Sequence, residues 1–153
     1  MNALELKVPP PVVGLCLALL MWLSSLLVPP LQVPFGVRLA AALSLAAIGQ
    51  SISIAGMVAF RRARTTINPF KPNASSSLVR DGIYRFTRNP MYVGMLLTLL
   101  GWAVFLASLS AFVFVPLFVL YINRFQIQPE ERALSSLFAA EYTAYKGQVR
   151  RWL

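Results

Sequence analysis

The first unbroken apolar run extends from Val12 to Val28, between Pro9-Pro10-Pro11 and Pro29-Pro30. Its 17 residues are near the lower limit for a helix crossing ~30 Å of hydrocarbon. A cleaved signal would open on basic residues and close on a small-residue site. Here Glu5 and Lys7 precede the run and prolines follow it, which predicts a retained first span near 12–28. The second run, Val37 to Phe60, has 24 residues and a single charge, Arg38, at its outer end. At 1.5 Å per residue it predicts a comfortable span over 37–60. Ala42, Ala46, Gly49, Ser53 and Gly56 recur along it at steps of three and four, a stripe that lets a neighbouring helix approach closely. Gln50 and Ser51 add a mild polarity that predicts a protein-facing side.

Arg61, Arg62 and Arg64 end that run. From Thr65 to Asn89 the chain is polar and rich in turn formers, with Asn68-Pro69, Lys71-Pro72-Asn73-Ala74 and Ser75-Ser76-Ser77. Loops this long in a small protein are functional or disordered, and Phe70, Leu78, Ile83, Tyr84 and Phe86 favour order. Asn89-Pro90 reads as a helix cap followed by proline at the first helical position. The stretch from Tyr92 to Ile122 is too long for one span, and Ser108-Leu109-Ser110 offers a hairpin turn. Helices near 90–107 and 111–128 follow. The second crosses only if it continues past Asn123 and Arg124, and Pro116 predicts a kink in it. Pro129-Glu130-Glu131 opens a helix over 129–147, with acids where the dipole favours them. Leu134, Leu137, Phe138, Glu141 and Tyr145 share its broad face, and Gly147 can end it. The tail Arg150-Arg151-Trp152-Leu153 has the aromatic-plus-basic look of an interfacial anchor.

Composition agrees with lipid as the solvent. The chain is 58% hydrophobic and 12% charged, against roughly a quarter charged in soluble domains. The expected architecture is one domain, 1–153: an all-α integral membrane protein with about four transmembrane helices. Twelve of the fourteen Lys and Arg lie from Arg61 onward and flank apolar runs, the positive-inside pattern. A multi-pass protein of the inner (plasma) membrane is predicted, with both termini and the central loop cytoplasmic. The net charge of +9 therefore points to the membrane surface, and no soluble basic module for nucleic acid is visible. Cys16 is alone, so no internal disulfide can form. With no histidine, histidine acid–base chemistry and the common histidine metal sites are excluded, and no metal site is expected.

None of the eight glycines forms a GxGxxG or P-loop pattern, so any nucleotide-like cofactor must bind in a non-Rossmann way. The candidate chemistry lies in three stretches at one membrane depth. These are Leu78 to Tyr84, Arg88 to Gly94, and Glu130-Glu131-Arg132 with Tyr142 and Tyr145. Interfacial anchors, caps and snorkelling arginines explain such residues in part. Together they also suit a ligand with a cationic centre, a carboxylate and an aromatic ring. Aromatic faces and acids favour the cation, whereas helix N-termini and arginine favour the anion.

The runs LVRDGIYRFTRNPMYVG and EERALSSLFAAEYTAYKGQVRRWL resemble the isoprenylcysteine carboxyl methyltransferase and phospholipid methyltransferase superfamily, over roughly residues 65–153. The first two spans are similar only in being hydrophobic. The resemblance implies an integral membrane enzyme transferring methyl from S-adenosyl-L-methionine to a small lipophilic acceptor at the cytoplasmic membrane face. The central loop and C-terminal interfacial helix would form its cofactor pocket. Position by position it implies cofactor contacts from Ser76, Ser77, Leu78, Val79, Tyr84, Asn89, Pro90, Met91, Tyr92 and Glu130. Arg124, with Gln128 and Glu131 following on the same face if the helix continues, is the candidate for orienting the acceptor. Arg124 and Glu131 are the catalytic candidates. Three positions depart from the pattern: Asn89 stands for a histidine, Gln126 for an arginine and Ala139 for a glycine. Other readings are an NADPH-dependent membrane reductase of the sterol-reductase-like type and a non-catalytic small membrane protein.

Overall fold

The computed structural model describes residues 5–63 and 77–153; Arg64, Ser76 and the loop between them lie outside the described residues. Every regular element among the described residues is helical. Helix α1 (Pro10–Ser25) opens on a proline whose missing N–H is harmless in the first turn. It ends at Ser25, short of Val28, where Ser24 and Ser25 turn their hydroxyls back onto Met21 O and Trp22 O. Helix α2 (Phe35–Arg62) runs 28 residues and closes on Arg61 and Arg62, where the dipole favours cations. Helix α3 (Pro90–Leu106) stops at Ala107, which takes a left-handed φ of 49°. The carbonyl of Ala107 accepts the Leu31 N–H at 2.7 Å, tying this turn to the α1–α2 connection.

From Leu109 to Gln148 the chain is one long helical rod with three irregularities, two of them traceable to prolines. Helix α4 (Leu109–Phe112) gives way to α5 (Phe114–Ile122) because Pro116 has no N–H for the carbonyl of Phe112. A π-helical turn (Asn123–Ile127) then leads into α6 (Gln128–Gln148) without a break. Pro129 supplies the reason. In an α-helix its N–H would bond Phe125 O, and its ring would press on that carbonyl. The wider turn relieves the clash, and Gln128 N–H reaches back to Asn123 O instead. Phe125 O is thereby left for an outside donor, Leu6 N–H at 3.0 Å. The third irregularity is Ala139 inside α6, at φ 31° and ψ −106°.

Helices α2 and α3 pack backbone to backbone. A Cβ on Gly49 would stand 2.5 Å from Gly94 O, and one on Gly94 would collide with Ser53 Oγ. A Cβ on Gly101 would stand 2.9 Å from Ala42 O. The small-residue stripe of α2 is thus its contact with α3. Gln50 and Ser51 lie on the exposed side, although Gln50 reaches Thr98 Oγ1 at 3.1 Å. Helices α1, α3 and α5 meet in a core containing Val13, Met21, Tyr92, Leu99, Phe118 and Ile122. Trp102 fastens α1 to α3 by donating Nε1–H to Ala18 O. Outward, Leu15, Leu43, Ile54 and Leu120 are more than half exposed, a surface that apolar surroundings would cover. Helix α2 and the α4–α6 rod are long and apolar enough to cross a membrane. Helices α1 and α3, at 16 and 17 residues, are shorter, about 24–26 Å of helix.

Candidate functional site

The site grows from the N-terminus of α3. Pro90 begins the helix as expected of a proline at the first position. Asn89 does not cap it. Thr87 Oγ1 accepts the Asn89 N–H, and the Asn89 amide turns outward to donate Nδ2–H to Arg151 O at 2.9 Å. One turn into the helix, the Tyr92 hydroxyl donates to Glu130 Oε1 at 2.6 Å, joining α3 to the start of α6. Glu130 keeps part of its surface open, yet its carboxyl group is surrounded by protein. Burial pushes it up to about 7, the Tyr92 hydrogen bond opposes this, and the charge of Glu131 adds to it. An acid so placed waits for a positive or hydrogen-donating partner.

Glu131, the next residue, faces a different group. Arg88 Nη2 approaches it at 3.2 Å, and Arg151 holds it with a two-pronged bond at 3.0 and 2.7 Å. The Arg88 side chain is 11% exposed, and its Nε and Nη1 have no partner among the described residues. A buried guanidinium with free N–H groups is an anion site in waiting. Tyr84 sits in a 3₁₀ turn (Gly82–Arg85), buried edge-on against Phe60 with ring centroids 5.4 Å apart. Burial raises its phenol well above the ordinary value, and its carbonyl accepts the Tyr145 hydroxyl at 2.7 Å. That bond brings the second half of α6 onto the loop. Beyond the Ala139 kink the buried residues are Tyr142 and Tyr145, while Leu137 and Glu141 are exposed, so the single broad face expected of this helix is split.

The tail also packs against these residues, a contact that the reading of 150–153 as an interfacial anchor did not include. Arg150 O accepts the Arg88 N–H, Arg151 O accepts from Asn89, and Trp152 Nε1 donates to Asn123 Oδ1. Only the alternation of charge and aromatic residues hinted at it. Of the other expected cofactor residues, Ser77 bonds Ala63 O at the end of α2, Val79 is buried, Leu78 is half-buried, and Met91 O accepts a 3.4 Å bond from Ser53. Ser76 lies outside the described residues.

Arg124 and Glu131, expected on one face, engage different partners. The π-turn between them adds a residue to the winding, and Arg124 Nη1 donates to Glu5 Oε1 at 2.9 Å on the α1 side. Arg132 Nη2 takes the other oxygen of Glu5 at 2.6 Å. Gln126 is fully buried; its Nε2 donates to Val8 O at 2.7 Å, and its Oε1 has no partner among the described residues.

Among the described residues the chain is all-helical, with two helices long and apolar enough to cross a membrane, and it holds a buried carboxyl group on Glu130 and a buried guanidinium on Arg88. The chain matches the Phospholipid methyltransferase family over residues 37–141, and it belongs to that family. It is 34% identical over 118 residues to the protein-S-isoprenylcysteine O-methyltransferase of Schizosaccharomyces pombe, covering 75% of this chain and 49% of that enzyme. The enzyme of the same name from Saccharomyces cerevisiae is 34% identical over 82 residues, 52% of this chain and 33% of its own length. The chain thus spans about half or less of these two relatives. An uncharacterized protein of Haemophilus influenzae is 49% identical over 63 residues, 41% of this chain and all of that protein. No solved structure matches.

Proposed function

We propose that this chain is a membrane methyltransferase that uses S-adenosyl-L-methionine and acts on a small lipophilic acceptor at the cytoplasmic face of the inner membrane. The observation that carries the reading is the pairing of opposite needs at the start of α3 and α6. Among the described residues, Glu130 is a buried carboxyl group whose only hydrogen-bond donor is Tyr92, and Arg88 is a buried guanidinium with two unpartnered nitrogens. A zwitterionic cofactor with a positive sulfur, an amine, a carboxylate and ribose hydroxyls fits that set. Arg88 would hold the carboxylate. Glu130 would take the ribose or cationic side, and Tyr84 would offer an aromatic wall. When bound, S-adenosyl-L-methionine supplies an electrophilic methyl group. The protein then has to hold the acceptor in line with it and exclude water, and such positioning is worth ~7–11 kcal/mol of barrier.

Glu131 acts in this reading as a positioning residue that fixes Arg88 while Arg151 fixes Glu131. Arg124 is left out of the reaction in this reading, because it sits with Glu5 on the α1 side and not with Glu131. The four apolar helical segments are read as four crossings, with α6 and the 77–89 segment at the cytoplasmic surface. Radiolabelled S-adenosyl-L-methionine and NADPH, each titrated onto the detergent-purified protein, test the proposal. Saturable binding of the first alone is the expected result, and saturable binding of NADPH or of neither would overturn it.

A further inference from the structure

On the outer surface, α1 and α5 leave between them a groove of about 420 Å³, within the ~300–1,000 Å³ of ligand pockets. Val13 and Leu17 form one wall, and Leu117, Leu120 and Tyr121 form the other. The helical period puts Arg124 next on the second wall, at steps of seven, four and three, where it joins the lining of the groove. Leu117 and Leu120 are 45% and 63% exposed. The lining is almost wholly apolar, and Arg124 is its one charged residue.

That charge is held in place. Arg124 lies 5.6 Å from the Phe125 ring centroid and shares Glu5 with Arg132, so the cluster is two cations on one anion, net positive. Glu5 itself is fixed, since its neighbour Leu6 donates to the Phe125 carbonyl freed by Pro129, and Val8 O takes the Gln126 amide. Arg124 uses only Nη1 on Glu5, which leaves its other N–H groups for a second acceptor. A lipid tail gains little in preferring this groove to the bilayer, because tails and leucines are equally apolar. Selection falls to the head group, and a basic site between helices at the membrane surface selects an anionic one.

We propose that this groove binds one anionic bilayer phospholipid, an acyl chain lying along α1 and α5 and the phosphate on Arg124 and Arg132. The inference rests on the placement of α1 and α5 in the membrane and not on methyl transfer.

Native mass spectrometry of the delipidated protein in detergent, titrated with phosphatidylglycerol and with phosphatidylcholine, tests it. Phosphatidylglycerol is expected to bind about fivefold more tightly, the factor one basic residue near an anionic surface is worth. Arg124→Gln should erase the preference. Leu120→Trp, which fills the groove and leaves the ion cluster intact, should erase binding of the single tight lipid. Equal affinity for the two lipids in the unaltered protein, or a preference that survives Leu120→Trp, would overturn the proposal, and Leu120→Trp decides even if Arg124→Gln fails to fold.

Discussion

Replacing Glu130 with glutamine separates the charge of this residue from its shape. The amide keeps an oxygen for the Tyr92 hydroxyl, now 2.6 Å from Oε1, so the junction of α3 and α6 should survive. What is lost is the negative charge facing the proposed cofactor. A hydrogen bond to a charged group contributes about 1.5–3 kcal/mol, which is roughly a tenfold to 150-fold loss in affinity. The effect must depend on pH, because burial pushes Glu130 from 4.5 up to about 7. A raised acid binds its proton more tightly when folded than when unfolded. Its contribution to stability is therefore fully present below about pH 4.5 and is lost as pH rises through 7, by at most about 3 kcal/mol. Cofactor binding runs the other way, since a cationic ligand wants the ionised form. The unaltered protein should bind S-adenosyl-L-methionine more tightly at pH 8 than at pH 6. Glu130→Gln should bind weakly at both and show a thermal midpoint less sensitive to pH over that range. Isothermal titration and thermal unfolding in detergent read both quantities. Wild-type affinity at pH 8 in a folded Glu130→Gln protein would refute the reasoning.

Two further outcomes are expected. Ala139 holds a φ of 31° inside α6, where a side chain costs about 1–3 kcal/mol and glycine gives back about 0.5–1 of that in entropy. Ala139→Gly should thus gain about 1 kcal/mol and raise the thermal midpoint by ~2–4 °C, and a lower midpoint would contradict the strain. Arg151→Ala removes the two-pronged bond to Glu131, which is partly exposed on the arginine side, so the cost is about 1 kcal/mol, a midpoint ~2–4 °C lower. Arg151→Lys should recover only part of it, because lysine cannot make the fork.

Apolar run length and proline position determined much by themselves. The runs mark where α1, α2, α3 and the α5 rod form, since a helix satisfies its own backbone wherever its surroundings are apolar. Pro90 set the start of α3, and the small residues of α2 set which face α3 could approach. The acids Glu130 and Glu131 were legible as the opening of α6, and the motif around Arg88 to Gly94 was legible as a family mark. These are local properties, readable at steps of one to four residues.

Partner choice was not local, and only the tertiary structure decided it. Glu5 finds Arg124 across 119 positions, Tyr92 finds Glu130 across 38, and Asn89 finds Arg151 across 62. No periodicity encodes such pairs. Arg124 was expected on the face of Glu131 because a regular α-helix would put it there, but the turn forced by Pro129 winds wider and hands the two residues to different neighbours. The tail was expected to lie in the interface on the strength of its composition. Packing added what composition could not show, its contact with the start of α3, because the backbone carbonyls of Arg150 and Arg151 answer donors there, the Arg88 N–H and the Asn89 amide.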